Sequence, residues 1–365
     1  MKAVFCGGGT GGHVYPLLAV IEKFKEKYPE ANIIYLGSKK GLEAKAVPEN
    51  GIRFHSFDIE GFQSKKILSV LKTITKAIIA FMKAGVFFRR ERPDIVLGSG
   101  GYVCGPLLIA AYTCRIPILL HEQNVIPGKT NKLLSYFAAK ILLTFHETDE
   151  YINNKNKIVF SGMPIRDRIL FHIEDCSCKN KRDVKNLLIV GGSGGAKTIN
   201  KTMLDFYRIY GRLIKYQITH ITGERDYAEI KQIFSELPEQ NVLKEKIKLL
   251  SYHSEIGCLL ANADLCISRA GASFLSEIAI HRLPAILIPF PHAALNHQEL
   301  NARAFINSGA AEMIKENELT IESLYEKIED LMYNDEKLDM ISRKLEKFAN
   351  KDATLIIIKT MEEYL

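Results

Sequence analysis

The seven cysteines include no CxxC pair at zinc spacing, and their odd number does not suit a disulfide framework. Reduced, mostly buried thiols of a cytosolic protein are expected instead, with Cys176 and Cys178 the only close pair along the chain. The apolar core of a secretion signal is also lacking, because the opening MKAVFCGGGTGG runs four apolar residues straight into glycines. Synthesis and residence in the cytoplasm are the expectation. One uncharged stretch, residues 95–114, is long enough to span a bilayer, but Gly98, Gly100, Gly101, Gly105 and Pro106 divide it into a buried strand, a glycine turn and a helix start. A large excess of either charge is lacking: 49 basic against 42 acidic residues leave +7, a surplus whose location matters more than its size, and no nucleic-acid partner is expected. At 47% hydrophobic and 25% charged, the composition excludes a disordered or collagen-like chain.

What is present is a repeated pattern. A length of 365 residues allows about two domains. Short runs that are apolar throughout recur with helical stretches between them: AVFCG at 3–7, NIIYLG at 32–37, DIVLGSG at 94–100, IPILLHE at 116–122 and KILLTF at 140–145. Such strands belong to parallel sheets covered by helices on both faces. After a polar stretch the series restarts with NLLIVGG at 186–192, YQITHITG at 216–223, KIKLLSY at 246–252, ADLCIS at 263–268 and PAILIPF at 284–290. The pattern predicts an α/β protein of two doubly wound, Rossmann-like parallel-sheet domains, with the boundary between 161 and 185. Ligands in such sheets bind at the carboxyl ends of the strands, so both opening glycine loops are expected to face one central cleft.

Gly7, Gly9 and Gly12 satisfy GxGxxG after a strand, but the second strand ends Tyr35-Leu36-Gly37-Ser38 and lacks the acidic residue that anchors the ribose of a nicotinamide dinucleotide. The loop adds Thr10 and His13, a hydroxyl and an imidazole beside a helix N-terminus, where an anion can be held or a proton moved. Glycine turns follow three strands, at 7–12, 98–106 and 191–195, which suits a ligand carrying a diphosphate. SRAGASFLSE at 268–277 repeats the device of small residues at a strand end. It puts Glu277 just inside the next helix, either as an acceptor for a ribose diol or as a surface glutamate in a first turn.

Seven motifs in order, GGGTGGHVYP, GGYVCGP, HEQNVIPGKTNK, GMPIR, GGSGGA, SRAGASFLSE and NHQELNA, resemble the MurG family, glycosyltransferase family 28. They run from residue 7 to residue 302. The resemblance implies the GT-B fold. It also implies an inverting transfer of N-acetylglucosamine from UDP-N-acetylglucosamine to the 4-hydroxyl of N-acetylmuramic acid in undecaprenyl-linked lipid I, giving the peptidoglycan precursor lipid II. It divides the chain into an acceptor- and membrane-binding domain at 1–163, a donor domain at 164–346, and a final helix at about 347–365 that packs back on the first domain.

By the same resemblance, Glu277 binds the ribose hydroxyls, Arg166 and Ser193 lie by the donor diphosphate, Tyr252 and His253 line the uracil, and Ala272, Ser273 and Phe274 offer a helix N-terminus to the phosphates. His297 and Gln298 fall at the sugar hydroxyls. Gly9, Thr10, Gly11, Gly12, Gly100, Gly101, Tyr102 and Gly105 cradle the acceptor pyrophosphate. Thr10, Gly11, Gly12 and Asn124 also fall by the donor, with Asn124 at the sugar junction. His13 is the implied base, with Asn124 beside it in the catalytic set. No metal or other cofactor is expected, since Arg166 and a helix N-terminus suit the leaving diphosphate and no DxD-like acidic pair ends a strand. Two departures stand out. Gly194 replaces a common glutamine, and the stretch from Pro289 to Gln298 is one residue longer than in some members, which can shift His297 and Gln298 by one.

Residues 65–92 read as a basic amphipathic helix. Lys65, Lys72, Lys76, Lys83 and Arg90 share one face, while Ile67, Val70, Leu71, Ile74, Ile78, Phe81 and Phe88 are expected to face the core. Leu68, Ile79 and Val86 lie beside the lysines, a combination that suits the anionic inner leaflet and a peripheral position on the cytoplasmic face of the cell membrane. Cell-wall synthesis or division proteins are further expected partners. The rival readings are a Rossmann oxidoreductase, a UDP-N-acetylglucosamine 2-epimerase, another UDP-sugar transferase acting on a lipid acceptor, and a non-catalytic nucleotide-sugar-binding protein.

Overall fold

The computed structural model describes residues 1–61, 66–174, 184–192, 195–238 and 240–365. Lys65, Cys176, Cys178, Ser193 and Gly194 lie outside them. The chain forms two units, Met1–Arg166 with Asn350–Leu365, and Asp167–Ala349.

The first unit runs β1 (Lys2–Gly7), α1 (Gly11–Lys27), β2 (Asn32–Ser38), α2 (Glu43–Glu49), β3 (Arg53–Phe57), α3 (Ile67–Glu91), β4 (Ile95–Gly100), α4 (Cys104–Thr113), β5 (Ile118–Glu122), α5 (Lys129–Leu134), β6 (Lys140–Leu143) and β7 (Ile158–Phe160). The second runs α6 (Asp167–Glu174), β8 (Asn186–Val190), α7 (Lys197–Tyr210), β9 (Gln217–Ile221), α8 (Glu224–Ser235), α9 (Gln240–Lys246), β10 (Ile247–Leu250), α10 (Ile256–Ala261), β11 (Leu265–Ser268), α11 (Ala272–Ile280), β12 (Ala285–Leu287), α12 (His297–Asn307), β13 (Glu312–Met313), α13 (Ile321–Met332) and α14 (Asp335–Leu345). Helix α15 (Ala353–Glu362) closes the chain in the first unit.

All strand pairs are parallel, in the orders β3-β2-β1-β4-β5-β6-β7 and β10-β9-β8-β11-β12-β13, so the two doubly wound sheets expected from the sequence are present. Alternate residues of β1 feed two cores. Ala3 and Phe5 pack with Val14, Leu17, Ile21 and Phe24 of α1 and with Ile357, Ile358 and Met361 of α15. Val4 and Cys6 pack with Ala80, Ala84 and Phe88 of α3 and Leu107 and Leu108 of α4. Burial on both faces is why these strands are apolar throughout.

The strand order reverses direction between β1 and β4 and again between β8 and β11. Crevices open at such switch points, and the glycine turns follow these four strands. One irregularity sits there: Cys6 pairs with Gly98 but Gly7 with Gly100, so Ser99 is bulged out of the ladder. Cys6, Cys104 and Cys266 are buried free thiols, and Cys104 Sγ lies 3.6 Å from Cys6 Sγ, a proximity the sequence does not show.

Helix α3 corrects one expectation. Its core seam is Thr73, Ala80, Ala84 and Phe88; Ala80 and Ala84 are small enough to let the helix approach α4 closely, and Phe88 fills the core as expected. Ile67, Leu71, Ile74 and Ile78, expected inside, are exposed together with Leu68, Ile79, Met82 and Val86; Leu68 is 82% exposed and Val86 65%. At about 100° per residue these fill the side opposite the seam. Amphipathic spacing alone could not tell which apolar arc faced inward. The chain also carries an acidic pair at a strand end after all: Asp58 and Glu60 follow β3, and both ion-pair with Lys76 at 2.9 and 2.5 Å. Among the described residues no helix is long and apolar enough to cross a membrane.

Candidate active site

The first unit gathers the turns after β1, β4 and β5. Gly9 is at φ +92°, which lets the chain swing from β1 into α1, with Thr10 as the N-cap residue. His13 stands in the first turn, its Nδ1 2.9 Å from both Ser99 O and Gln123 Oε1. Ser99 Oγ in turn donates to His13 O at 2.7 Å, so the bulged serine clamps that turn twice. The β1 and β4 turns approach so closely that a Cβ on Gly101 would lie 2.3 Å from Gly8 O.

Two buried carboxylates shape these turns. Glu43 Oε1 accepts from Ser38 N and Oγ at 2.9 and 2.6 Å, and Oε2 accepts from Gly9 N at 3.0 Å. Any Cβ on Gly8, Gly37 or Gly41 would collide with this side chain. Part of the glycine content therefore houses Glu43, and the Gly9 N–H is already bonded from beneath. Glu122, at the end of β5, accepts from Asn124 N and Nδ2 and from Gly128 N and Asn131 Nδ2, which fixes the loop carrying Asn124. Gly100, at φ +102°, faces Asn131, whose Oδ1 is buried with no partner among the described residues. Tyr102 packs on Gly9 and lies 3.3 Å from Ser38 Oγ, whereas Gly105 falls inside α4. Arg166 stacks on the Tyr15 ring at 4.7 Å, two residues beyond His13.

In the second unit a cavity of about 540 Å³ opens at the β8/β11 switch point, a volume ordinary for a small-molecule site. Its walls include Gly191, Gly192, Gly195, Lys197, Thr198, Arg225, Arg269, Gly271, Phe274 and Gln298. Gly271 is the N-cap of α11, so the first N–H groups of that helix lie at the cavity. Gln298 is oriented by Phe290 N, which donates to its Oε1 at 2.9 Å. His297 is not among the lining residues, and its Nδ1 donates to Ala294 O at 2.7 Å. Tyr252 and His253 follow β10, and Ala272, Ser273 and Glu277 lie on α11, outside the cavity lining. Ser273 Oγ and His253 Nδ1 are buried without partners among the described residues.

Sequence reasoning missed Arg269. Its guanidinium donates to Ile288 O and Pro289 O, ion-pairs with Glu316 and lies over Phe290, tying the ends of β11, β12 and β13 at the cavity wall. Its place directly before the small residues of the SRAG turn was the available signal. Beneath the opposite wall runs a buried polar series. Tyr207 Oη donates to His220 Nδ1, His220 Nε2 to Asn200 Oδ1, and Asn200 Nδ2 to Asp226, which a Cβ on Gly195 would touch. Burial holds His220 down to about 3. The described residues contain no group of three or more His, Cys, Asp or Glu that could hold a metal ion.

Two doubly wound units with glycine turns at their switch points are the architecture of a two-domain glycosyltransferase. The Glycosyltransferase family 28 N-terminal domain matches residues 3–143 and the Glycosyltransferase family 28 C-terminal domain residues 186–355. The chain is 39% identical over 371 residues to the UDP-N-acetylglucosamine–N-acetylmuramyl-(pentapeptide) pyrophosphoryl-undecaprenol N-acetylglucosamine transferase of Desulforamulus reducens, covering 100% of this chain and 99% of that one. Crystalline Acinetobacter baumannii MurG, 27% identical, matches 100% of both chains with a TM-score of 0.80. The UDP-GlcNAc 2-epimerase of Neisseria meningitidis shares the fold, at 13% identity, a TM-score of 0.69 and 100% of both chains. The chain belongs to the MurG family of N-acetylglucosamine transferases.

Proposed function

We propose that this enzyme transfers N-acetylglucosamine from UDP-N-acetylglucosamine to the 4-hydroxyl of N-acetylmuramic acid in undecaprenyl-pyrophosphoryl-linked lipid I, with inversion. The single observation that carries this reading is identity of 39% over the whole chain to the transferase of that name. A likeness of 13% to an epimerase speaks for the fold alone.

In this reading the acceptor hydroxyl attacks the anomeric carbon, the bond from that carbon to the UDP oxygen breaks, and the hydroxyl proton passes to His13 Nε2 while UDP leaves with the bonding pair. His13 suits this task as an imidazole in the first turn of α1, with Nδ1 engaged and Nε2 left for substrate. Asn124 is held by Glu122 in the next loop. The second unit receives UDP-sugar at the β8/β11 cavity, where the α11 N-terminus and Gly191, Gly192 and Gly195 meet a diphosphate and Gln298 a sugar hydroxyl. Ala272, Ser273 and Phe274 belong to that helix start, and Glu277, Tyr252 and His253 are assigned to the ribose and uracil ends; the assignment of Ser193 to the diphosphate falls outside the described residues. Arg166 neutralises departing charge, so the reaction proceeds without a metal.

The acceptor's lipid gives the exposed arc of α3 a role. Leu68, Ile79, Met82 and Val86 enter the headgroup region while Lys72 and Lys83 meet anionic lipid, making the enzyme peripheral on the cytoplasmic face. Lys76 is neutralised by Asp58 and Glu60 and contributes little.

The test is transfer of label from UDP-N-acetylglucosamine to a short-chain lipid I analogue in EDTA, by wild type and His13→Ala. Wild-type transfer with a loss of about 10²- to 10⁴-fold in the variant is expected. Bound UDP-sugar with no wild-type transfer would overturn the acceptor assignment, and activity abolished by EDTA would overturn the metal-free step.

A further inference from the structure

His13, Gln123 and His121 form a hydrogen-bonded series whose polarity is set at both ends by backbone carbonyls. Ser99 O can only accept, and it lies 2.9 Å from His13 Nδ1, so Nδ1 carries the ring proton and Nε2 the lone pair. At the far end Gly162 O lies 3.1 Å from His121 Nε2, so that nitrogen is the donor and His121 Nδ1 the acceptor. Gln123 spans the gap. Its Nε2 donates to His121 Nδ1 and to His121 O, each at 2.9 Å, and its Oε1 accepts from His13 Nδ1 at 2.9 Å. Turning the amide over would oppose N–H to N–H at His13 and oxygen to lone pair at His121. Gln123 is 2% exposed and His121 1%, so neither clash could be relieved by water. Burial also holds His121 down to about 4, which keeps its ring neutral and its Nδ1 able to accept.

We propose that Gln123, locked in one orientation by His121, is a positioning residue that joins Ser99 O in keeping His13 in the Nδ1–H form with Nε2 as its basic atom. The proposal rests on the reading of His13 as the base. Once Nε2 has taken the acceptor's proton, the imidazolium still donates from Nδ1 to Ser99 O and Gln123 Oε1, and neither bond has to be remade. The bulge at Ser99 and the His121-Glu122-Gln123 run that ends β5 and opens the next loop thus converge on one nitrogen.

Histidine side-chain ¹⁵N spectra of the wild-type protein near pH 7.5 test the arrangement without turnover, with His13→Ala and His121→Asn assigning the two rings. Nδ1–H at His13 and Nε2–H at His121 are expected. An Nε2–H ring or tautomer averaging at His13 would overturn the proposal. Gln123→Leu removes its three bonds and leaves Ser99 O as the one acceptor for His13 Nδ1–H, so it is expected to lower kcat about 10- to 100-fold with both KM values within about twofold and with the Nε2–H form of His13 newly populated beside Nδ1–H. Gln123→Glu restores the acceptor for Nδ1–H but turns its second oxygen to the His121 Nδ1 lone pair and His121 O, so it is expected to recover the single His13 tautomer with kcat only partly restored. Loss of kcat in Gln123→Leu with an unmoved His13 tautomer would also refute it. The expected spectra combined with no transfer by wild type would place the failure in the proposed reaction instead.

Discussion

The cage around Glu43 can be tested by a cycle of two substitutions. An alanine at 41 would put its Cβ 2.1 and 2.3 Å from the Glu43 oxygens, and no positive φ is involved there, so the carboxylate is the only obstacle. Displacing it breaks its bonds to Ser38 N, Ser38 Oγ and Gly9 N. Two of these donors are backbone N–H groups: that of buried Ser38 costs about 1–3 kcal/mol if left unpaired, and that of exposed Gly9 costs less because water can reach it. Gly41→Ala should therefore destabilise by about 2–5 kcal/mol, and Glu43→Ala, which loses the same bonds and leaves a void, by a similar amount. The double variant should cost no more than Glu43→Ala alone, because the new methyl occupies vacated space; the coupling is about 2–4 kcal/mol. Scanning calorimetry should show each single variant lowering one transition by roughly 5–15 °C, at about 2–4 °C per kcal/mol for a unit of this size. Costs that simply add would refute the idea that Glu43 is the reason for glycine at 41.

Gly100→Ala, strained at φ +102° and with its Cβ 2.7 Å from Asn131 Oδ1, should lower the same transition and weaken turnover, which thermal scans and label transfer would show. Two buried histidines make stability depend on pH: His121 and His220 are held down to about 4 and about 3 from an ordinary 6.5, so unfolding below pH 6.5 lets each take up a proton that the folded state refuses. Stability should be full above about pH 6.5 and fall as pH drops toward 4, by on the order of 3 kcal/mol per ring, and flat unfolding curves between pH 7 and 4.5 would contradict this. Replacing Lys72 and Lys83 by glutamate should release the protein from anionic vesicles in a sedimentation assay, and Leu68→Ser with Val86→Ser should do so even at low salt; unchanged binding in both would exclude α3 as the docking face.

Central strands were legible in the sequence because burial on both faces leaves a continuous apolar run, as in β1 and β4. The three strands that escaped notice, β3, β7 and β13, are all sheet edges. β3 reads RFHSF with alternate residues exposed, and β13 has two residues, so neither carries the signature of a covered strand. The turns of the candidate site were visible as glycines, yet their reasons were not. Gly8, Gly37 and Gly41 answer to a carboxylate brought from α2, and the role of Gln123 depends on a bulge 24 positions earlier in the chain, contacts that no local spacing encodes.

Helix α15 supplies Ile357, Ile358 and Met361 to the core beneath α1, and Glu362 bonds Tyr28 Oη at 2.6 Å. The chain therefore leaves the first unit at Arg166 and returns to it at Asn350. On the ribosome the first 166 residues emerge long before the segment that completes their hydrophobic layer, and the whole second unit is synthesised in between. The first unit must wait with one face of β1 and α1 incompletely covered. A shortened chain ending near 349 would keep every turn of the candidate site and still lack the floor beneath the helix that carries His13.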